Sequence, residues 1–141
     1  MTKQPAVALI TGAANNIGRA AAEVFADDHI VVLADIEDAT EAAQEIGRGA
    51  VAVQGDVSDA ADCARWIEVA EEHGPLRSIV HAAAVTRPPQ TVEHISPAEW
   101  DEVIRINLTG SFLLAQAAVP ALRRAANAAV VFISSRAGKS G

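Results

Sequence analysis

The sequence predicts an α/β domain, a doubly wound parallel sheet of about five strands with helices on both faces. Two observations lead there. Short apolar runs alternate with amphipathic stretches along the whole chain, and the first run passes through a glycine-bearing turn straight into a helical pattern. Strands that alternate with helices imply right-handed crossovers, and these build parallel sheets. The 141 residues suffice for one domain with a single core, and residues 1–141 are read as one unit without repeat or internal linker.

In chain order, Ala6–Ile10, Ile30–Ala34, Ala50–Val53, Ser78–Ala82 and Ala129–Ser134 read as strands buried on both faces, most of them rich in Val and Ile. Ile17, Ala20, Ala21, Val24 and Phe25 mark the first helix. Asp38-x-x-Glu41 reads as the start of the second and Gly47 as its stop. Ser58 is the expected cap of a third, whose inner face is Cys63, Ile67 and Ala70 and which Gly74-Pro75 closes. Ser96-Pro97-Ala98-Glu99 is a capping box with proline at the first helical position. It opens a long helix through Trp100, Val103, Ile104, Asn107, Ser111, Ala115 and Ala118 that Pro120 is expected to kink or end. Residues 85–97 form the only long loop, a candidate lining of a site.

Half the residues are apolar and 21% are charged, the balance of a soluble globular chain. The net charge of −7 and the lack of a basic cluster argue against nucleic acid or an anionic membrane as partner. A single cysteine, Cys63, fits a reducing compartment. No signal-peptide pattern and no apolar run near 18 residues are read, so the cytoplasm is the expected location. No His/Cys/Asp/Glu spacing suggests a metal site. There is no tyrosine.

The turn Thr11–Gly18, TGAANNIG, is the first candidate site. A dinucleotide pyrophosphate needs backbone that can approach closely and unpaired N–H groups at a helix start. Gly12 and Gly18 supply the approach, and the helix beginning near Ile17 supplies the amides. Asn16 stands where a third glycine would be expected; asparagine is the non-glycine residue that best tolerates positive φ. Asn15 is counted with this coenzyme turn, and its side chain can also bond within the turn itself. Asp35, at the end of the second strand, can accept hydrogen bonds from both hydroxyls of an adenosine ribose and would repel a 2′-phosphate, which selects NAD over NADP. Asp56, before Val57, can reach an adenine edge or serve its own turn. His81 reads as a hydrogen-bonded core histidine, and His29, His73 and His94 as solvated loop or helix-end residues.

These motifs together resemble the short-chain dehydrogenase/reductase family over nearly the whole chain, and the resemblance implies its Rossmann-type fold with strand order 3-2-1-4-5. TGAANNIG is similar to the family's T-G-x-x-x-G-x-G turn; Asp35-Ile36 resembles its NAD-selecting strand end, and Asp56-Val57 its adenine-contacting one. HAAAV at 81–85 stands at the family's N-N-A-G strand end, with His81 and Ala82 in place of both asparagines and Ala82 and Ala83 beside the coenzyme. The stretch 100–122 resembles the family's long interface helix, and 130–138 its fifth strand. The resemblance implies that Asn107 is the catalytic asparagine, holding a water of the proton relay, and that Ser135 is the catalytic serine, holding the substrate oxygen.

The family's Tyr-x-x-x-Lys pair would follow Ser135 by about a dozen residues, beyond Gly141. Ser135-x-x-x-Lys139 has its spacing, but the glycines around it read as loop, where i and i+4 do not share a face. The implied activity is NAD-dependent hydride transfer between nicotinamide and a secondary alcohol or ketone, in a working protein that continues past Gly141; this stretch alone is expected to be inactive. A 3-oxoacyl-thioester reductase is a possible subgroup, although Asp35 disagrees with the NADPH that such reductases usually employ. The competing reading is a non-catalytic module that binds NAD or oligomerises. A homo-oligomer through helix 98–119 is expected, because Phe112, Leu113 and Val131 would otherwise meet water.

Overall fold

A computed structural model describes residues 4–139. Five parallel strands, β1 (Ala6–Thr11), β2 (His29–Asp35), β3 (Val51–Gln54), β4 (Leu76–His81) and β5 (Ala129–Phe132), form one sheet in the order β3-β2-β1-β4-β5. This is the expected topology. The strand ends differ from the sequence reading by one or two residues. Valines, isoleucines and leucines of β1, β2 and β4 are buried on both faces, as a parallel sheet covered by helices requires.

One face packs on α1 (Asn16–Phe25) and α2 (Thr40–Ile46), around Ala8, Ile10, Val31 and Leu33. The other packs on α3 (Ala60–His73) and on the helical stretch Pro97–Arg124, around Leu9, Ile79, Trp66 and Leu114. In α1 the line against the sheet is Gly18 and Ala22, while Ile17 and Val24 face outward. Gly18 brings the helix onto β1, and this turns the expected stripe by about one residue. The predicted inner face of α3 is observed, with Trp66 added to it.

Three helix boundaries correct the sequence reading. The cap of α3 is Asp59, whose carboxylate accepts from the N–H groups of Ala61 and Asp62, whereas Ser58 turns back to Asp56. Asp38 does not form a capping box with Glu41; it accepts from the N–H and hydroxyl of Thr40 in a local turn, and Ala39 holds the cap position of α2. Pro120 does not end its helix, which runs on to Arg124. Pro120 and Gln116, the residue four before it, both face solvent, so water can meet the carbonyl that proline leaves unbonded.

The capping box at Ser96 and Glu99 is formed in full. The long helix has three parts: α4 (Pro97–Val103), a π-helical turn over Ile104–Thr109, and α5 (Gly110–Arg124). Beyond the π turn the buried side is Gly110, Leu114, Ala118 and Ala121, and Trp100 points outward. By length and composition the 28-residue helix is apolar enough to cross a membrane, with mean hydropathy 1.2, a feature the search for unbroken apolar runs does not register. In the fold it lies on the sheet. Phe112 and Val131 are exposed as expected, whereas Leu113 packs partly against the core.

Candidate functional site

The site is built at the carboxyl edge of the sheet, where β1 turns one way towards β2 and β4 turns the other way towards β5. Such a switch point opens a crevice between the two strand ends. Gly12, at φ +66°, starts the turn after β1; a Cβ there would lie 2.7 Å from the Ala83 nitrogen and 2.9 Å from the Ala82 carbonyl carbon. A Cβ on Gly18 would lie 2.0 Å from the Gly12 oxygen. Only glycine fits either place. Asn16 adopts φ +50°, the left-handed conformation expected of it. The amino end of α1 has no side-chain cap and no acidic residue in its first turn. The early amides, those of Asn16, Ile17 and Gly18, therefore lack the carboxylate or hydroxyl that usually satisfies such a helix start.

Asp35 leaves β2 pointing back at this turn. Its Oδ2 accepts the Ala14 N–H at 2.9 Å and its Oδ1 the Glu37 N–H at 3.0 Å. Each oxygen keeps a lone pair for a further donor. Asn15 does not bond within its own turn; its Nδ2 donates to Glu37 Oε2 at 2.8 Å, across the mouth of the crevice. Arg19, on α1, is held by Glu23 and Glu45. Ile36 is exposed beside Asp35.

Asp56 serves its own turn: Oδ1 accepts from the N–H and hydroxyl of Ser58, and Arg105 of the π turn reaches Oδ2 at 3.4 Å. The Ser58 bonds hold its carboxyl below the usual carboxylate range. Val57 is buried, and a Cβ on Gly110 would lie 2.8 Å from its Cγ1, so the start of α5 rests on the β3 end. Cys63 is core; its thiol donates to the Val57 carbonyl at 3.2 Å, and burial pushes its pKa up to about 11.

Asn107 sits in the π turn and clasps the segment after β4. Its Nδ2 donates to the Val85 carbonyl at 2.9 Å, and its Oδ1 accepts the Val85 N–H at 2.8 Å. Its own carbonyl accepts the Ser111 hydroxyl at 2.7 Å. Ser135 is exposed; its Oγ accepts the Ala137 N–H at 3.2 Å in a single turn over Arg136–Gly138, so no helix carries Ser135 and Lys139 onto one face.

The buried pair Thr11 and His81 joins β1 to β4, Oγ1 to Nδ1 at 2.7 Å, and Thr11 Oγ1 also accepts the Ala83 N–H at 3.2 Å. His29 is only partly exposed; it opens β2, packs edge-on against Phe25 and bonds Asp28. Two further depressions, about 360 and 380 Å³, lie away from the crevice, one under α2 and one beside Gly74–Arg77. Among the described residues no cluster of three or more His, Cys, Asp or Glu side chains could hold a metal.

The residues read from the sequence thus gather at one edge of the sheet. Thr11, Ala14, Val85 and Arg105 are additions. Ala14 and Val85 act through backbone groups, which leave no side-chain signature, and Arg105 depends on how the π turn aims it.

A parallel sheet of this order with a glycine-cradled helix start at its switch point defines a dinucleotide-fold α/β protein. The short chain dehydrogenase family model matches residues 6–141, and the chain belongs to that family. It is 36% identical over 138 residues to D-threitol dehydrogenase of Mycolicibacterium smegmatis, covering 93% of this chain and 53% of that protein. It is 33% identical over 149 residues to the 3-oxoacyl-[acyl-carrier-protein] reductase FabG of Staphylococcus aureus, covering 100% and 59%. The crystal structure of a 3-ketoacyl-ACP reductase from Sinorhizobium meliloti 1021 superposes with a TM-score of 0.83 at 35% identity, covering 92% of this chain and 53% of the other. The chain therefore spans little more than half the length of these relatives.

Proposed function

We propose that the chain is the coenzyme-binding part of an NAD-dependent short-chain dehydrogenase/reductase acting on a secondary alcohol or ketone. One observation carries this reading: an uncapped helix start lies behind two glycines that admit no Cβ, with the Asp35 carboxylate hydrogen-bonded to the same turn. The residues fit a dinucleotide. Gly12, Asn15, Asn16, Ile17 and Gly18 would hold its pyrophosphate, Asp35 and Ile36 its adenosine ribose, Asp56 and Val57 the adenine side, and Ala82 and Ala83 the inner end. Bound there, the coenzyme supplies or accepts a hydride. Asp35, with Glu37 close behind and Arg19 already engaged by two glutamates, gives a 2′-phosphate no cation.

Asn107 and Ser135 are the proposed catalytic positions. The Asn107 side chain fixes Val85 through one N–H and one Oδ1 lone pair, and its second N–H and second lone pair remain for a water of the proton relay. Ser135 Oγ accepts one N–H, and its hydroxyl proton remains for a substrate oxygen. These 141 residues contain no tyrosine, so in this reading they bind coenzyme without turning substrate over, in the cytoplasm and as a homo-oligomer through helix 98–119. The relatives named as 3-oxoacyl reductases keep a thioester ketone among the candidate substrates.

A fluorescence titration tests the coenzyme choice. NADH is expected to bind at least about tenfold more tightly than NADPH, and Asp35→Ala to shrink that ratio by removing the ribose acceptor, a charged hydrogen-bond partner worth about 1.5–3 kcal/mol. Equal affinities in the unmutated chain reject the ribose assignment. If NADH binds in neither protein, the non-catalytic oligomerisation module replaces the enzyme.

A further inference from the structure

His81 stands at the switch point, 97% buried beneath the phosphate turn, and the reading above gives it no task. Its surroundings favour one tautomer. The Ala83 amide can only donate, so it occupies a lone pair of Thr11 Oγ1. The hydroxyl proton of Thr11 then needs an acceptor, and the partner at 2.7 Å is His81 Nδ1. A neutral imidazole that accepts at Nδ1 carries its own proton at Nε2. Nε2 is buried without a hydrogen-bond partner, in a ring that meets Phe132 edge-on at 5.7 Å.

A second proton at Nδ1 would upset this chain of bonds. It would make Oγ1 accept from both His81 Nδ1–H and Ala83 N–H, and so turn the Thr11 hydroxyl proton away from the acceptor it has in the neutral state. β1 turns Thr11 towards the ring and β5 turns Phe132. No carboxylate or cation from these strands or from α5 contributes to its proton affinity; burial alone lowers its pKa from the ordinary 6.5. Ala83 is also the backbone that Gly12 lies against. Strain at Thr11 therefore reaches both walls of the crevice through two consecutive residues.

We propose that His81 is a positioning residue: as the neutral Nε2–H tautomer it holds Thr11, and through Thr11 the phosphate turn, against the β4 end, and its protonation weakens the grip on a dinucleotide. The proposal rests on the coenzyme reading for its ligand but not for its geometry. Because the folded state binds the proton more weakly than the unfolded chain, stability is complete above about pH 6.5 and falls as pH drops below it.

The test is made on the 141-residue chain. Nitrogen-15 imidazole spectra are expected to show the His81 proton on Nε2 and a titration displaced below the ordinary 6.5 of an imidazole. The NADH dissociation constant is expected to rise as pH falls, approaching about tenfold per unit once His81 titrates. In His81→Asn, where an amide oxygen accepts the Thr11 hydroxyl without titrating, that dependence is expected to flatten. A proton on Nδ1, or an undiminished pH dependence in His81→Asn, overturns the proposal. If NADH binds at no pH, the coenzyme reading falls. An Nε2 proton, with acid loss of thermal stability in the unmutated chain but not in His81→Asn, then still supports the hold of His81 on the turn.

Discussion

At Gly18 a single methyl group decides whether the site exists. Its Cβ would lie 2.0 Å from the Gly12 oxygen, an atom fixed in the backbone, so neither side can yield without separating α1 from β1. Gly18→Ala is expected to cost about 3 kcal/mol or more, read as a lower denaturation midpoint in urea. A loss below about 1 kcal/mol would show that the turn is looser than this geometry. Two of the turn's features were legible in advance: the glycines, from the strand before and the helix after, and Asn16 as the non-glycine residue able to take positive φ. The direction of Asn15 was not legible. Its partner Glu37 is 22 residues away in sequence, and only the pairing of β1 with β2 brings the two strand ends together.

Among the elements, the long helix over residues 97–124 departs most from its sequence pattern. Its start was plain because a capping box is a local signal. The π turn was not, because it adds a residue to one turn without any marker in composition, and such turns gather at functional sites. Here it coincides with Asn107, whose two bonds to Val85 tether the segment after β4 to the helix. Asn107→Ala leaves the Val85 N–H and carbonyl without these partners. It is expected to cost about 2 kcal/mol and to speed hydrogen exchange at the Val85 amide. Unchanged exchange there would mean that the clasp does not hold the segment. Asp59 displaced Ser58 as a helix cap for a similar reason: adjacent candidates differ only in which one the preceding turn engages, and Asp56 engages Ser58.

On the scale of the whole molecule, the parallel, doubly wound sheet followed from alternation, whereas the strand order came with the family resemblance, because alternation fits more than one order. What alternation cannot show is how the far edge is covered. Val131, Phe132 and Ile133 of β5 and its continuation are exposed, together with Trp100, Leu108 and Phe112 on the long helix. The proposed oligomer contact through helix 98–119 would draw on Phe112 and Leu108 of this set. Binding in the crevice would draw on β1, β2, β4 and the π turn at once. The most direct test of the central claim is an amide spectrum recorded as NAD is added. The largest shifts are expected at Asn16, Ile17 and Gly18, with Ala14 and Glu37 moving as Asp35 takes up the ribose hydroxyls. Saturable binding whose shifts fall instead around Thr40–Ala52 or Gly74–Arg77 would contradict it.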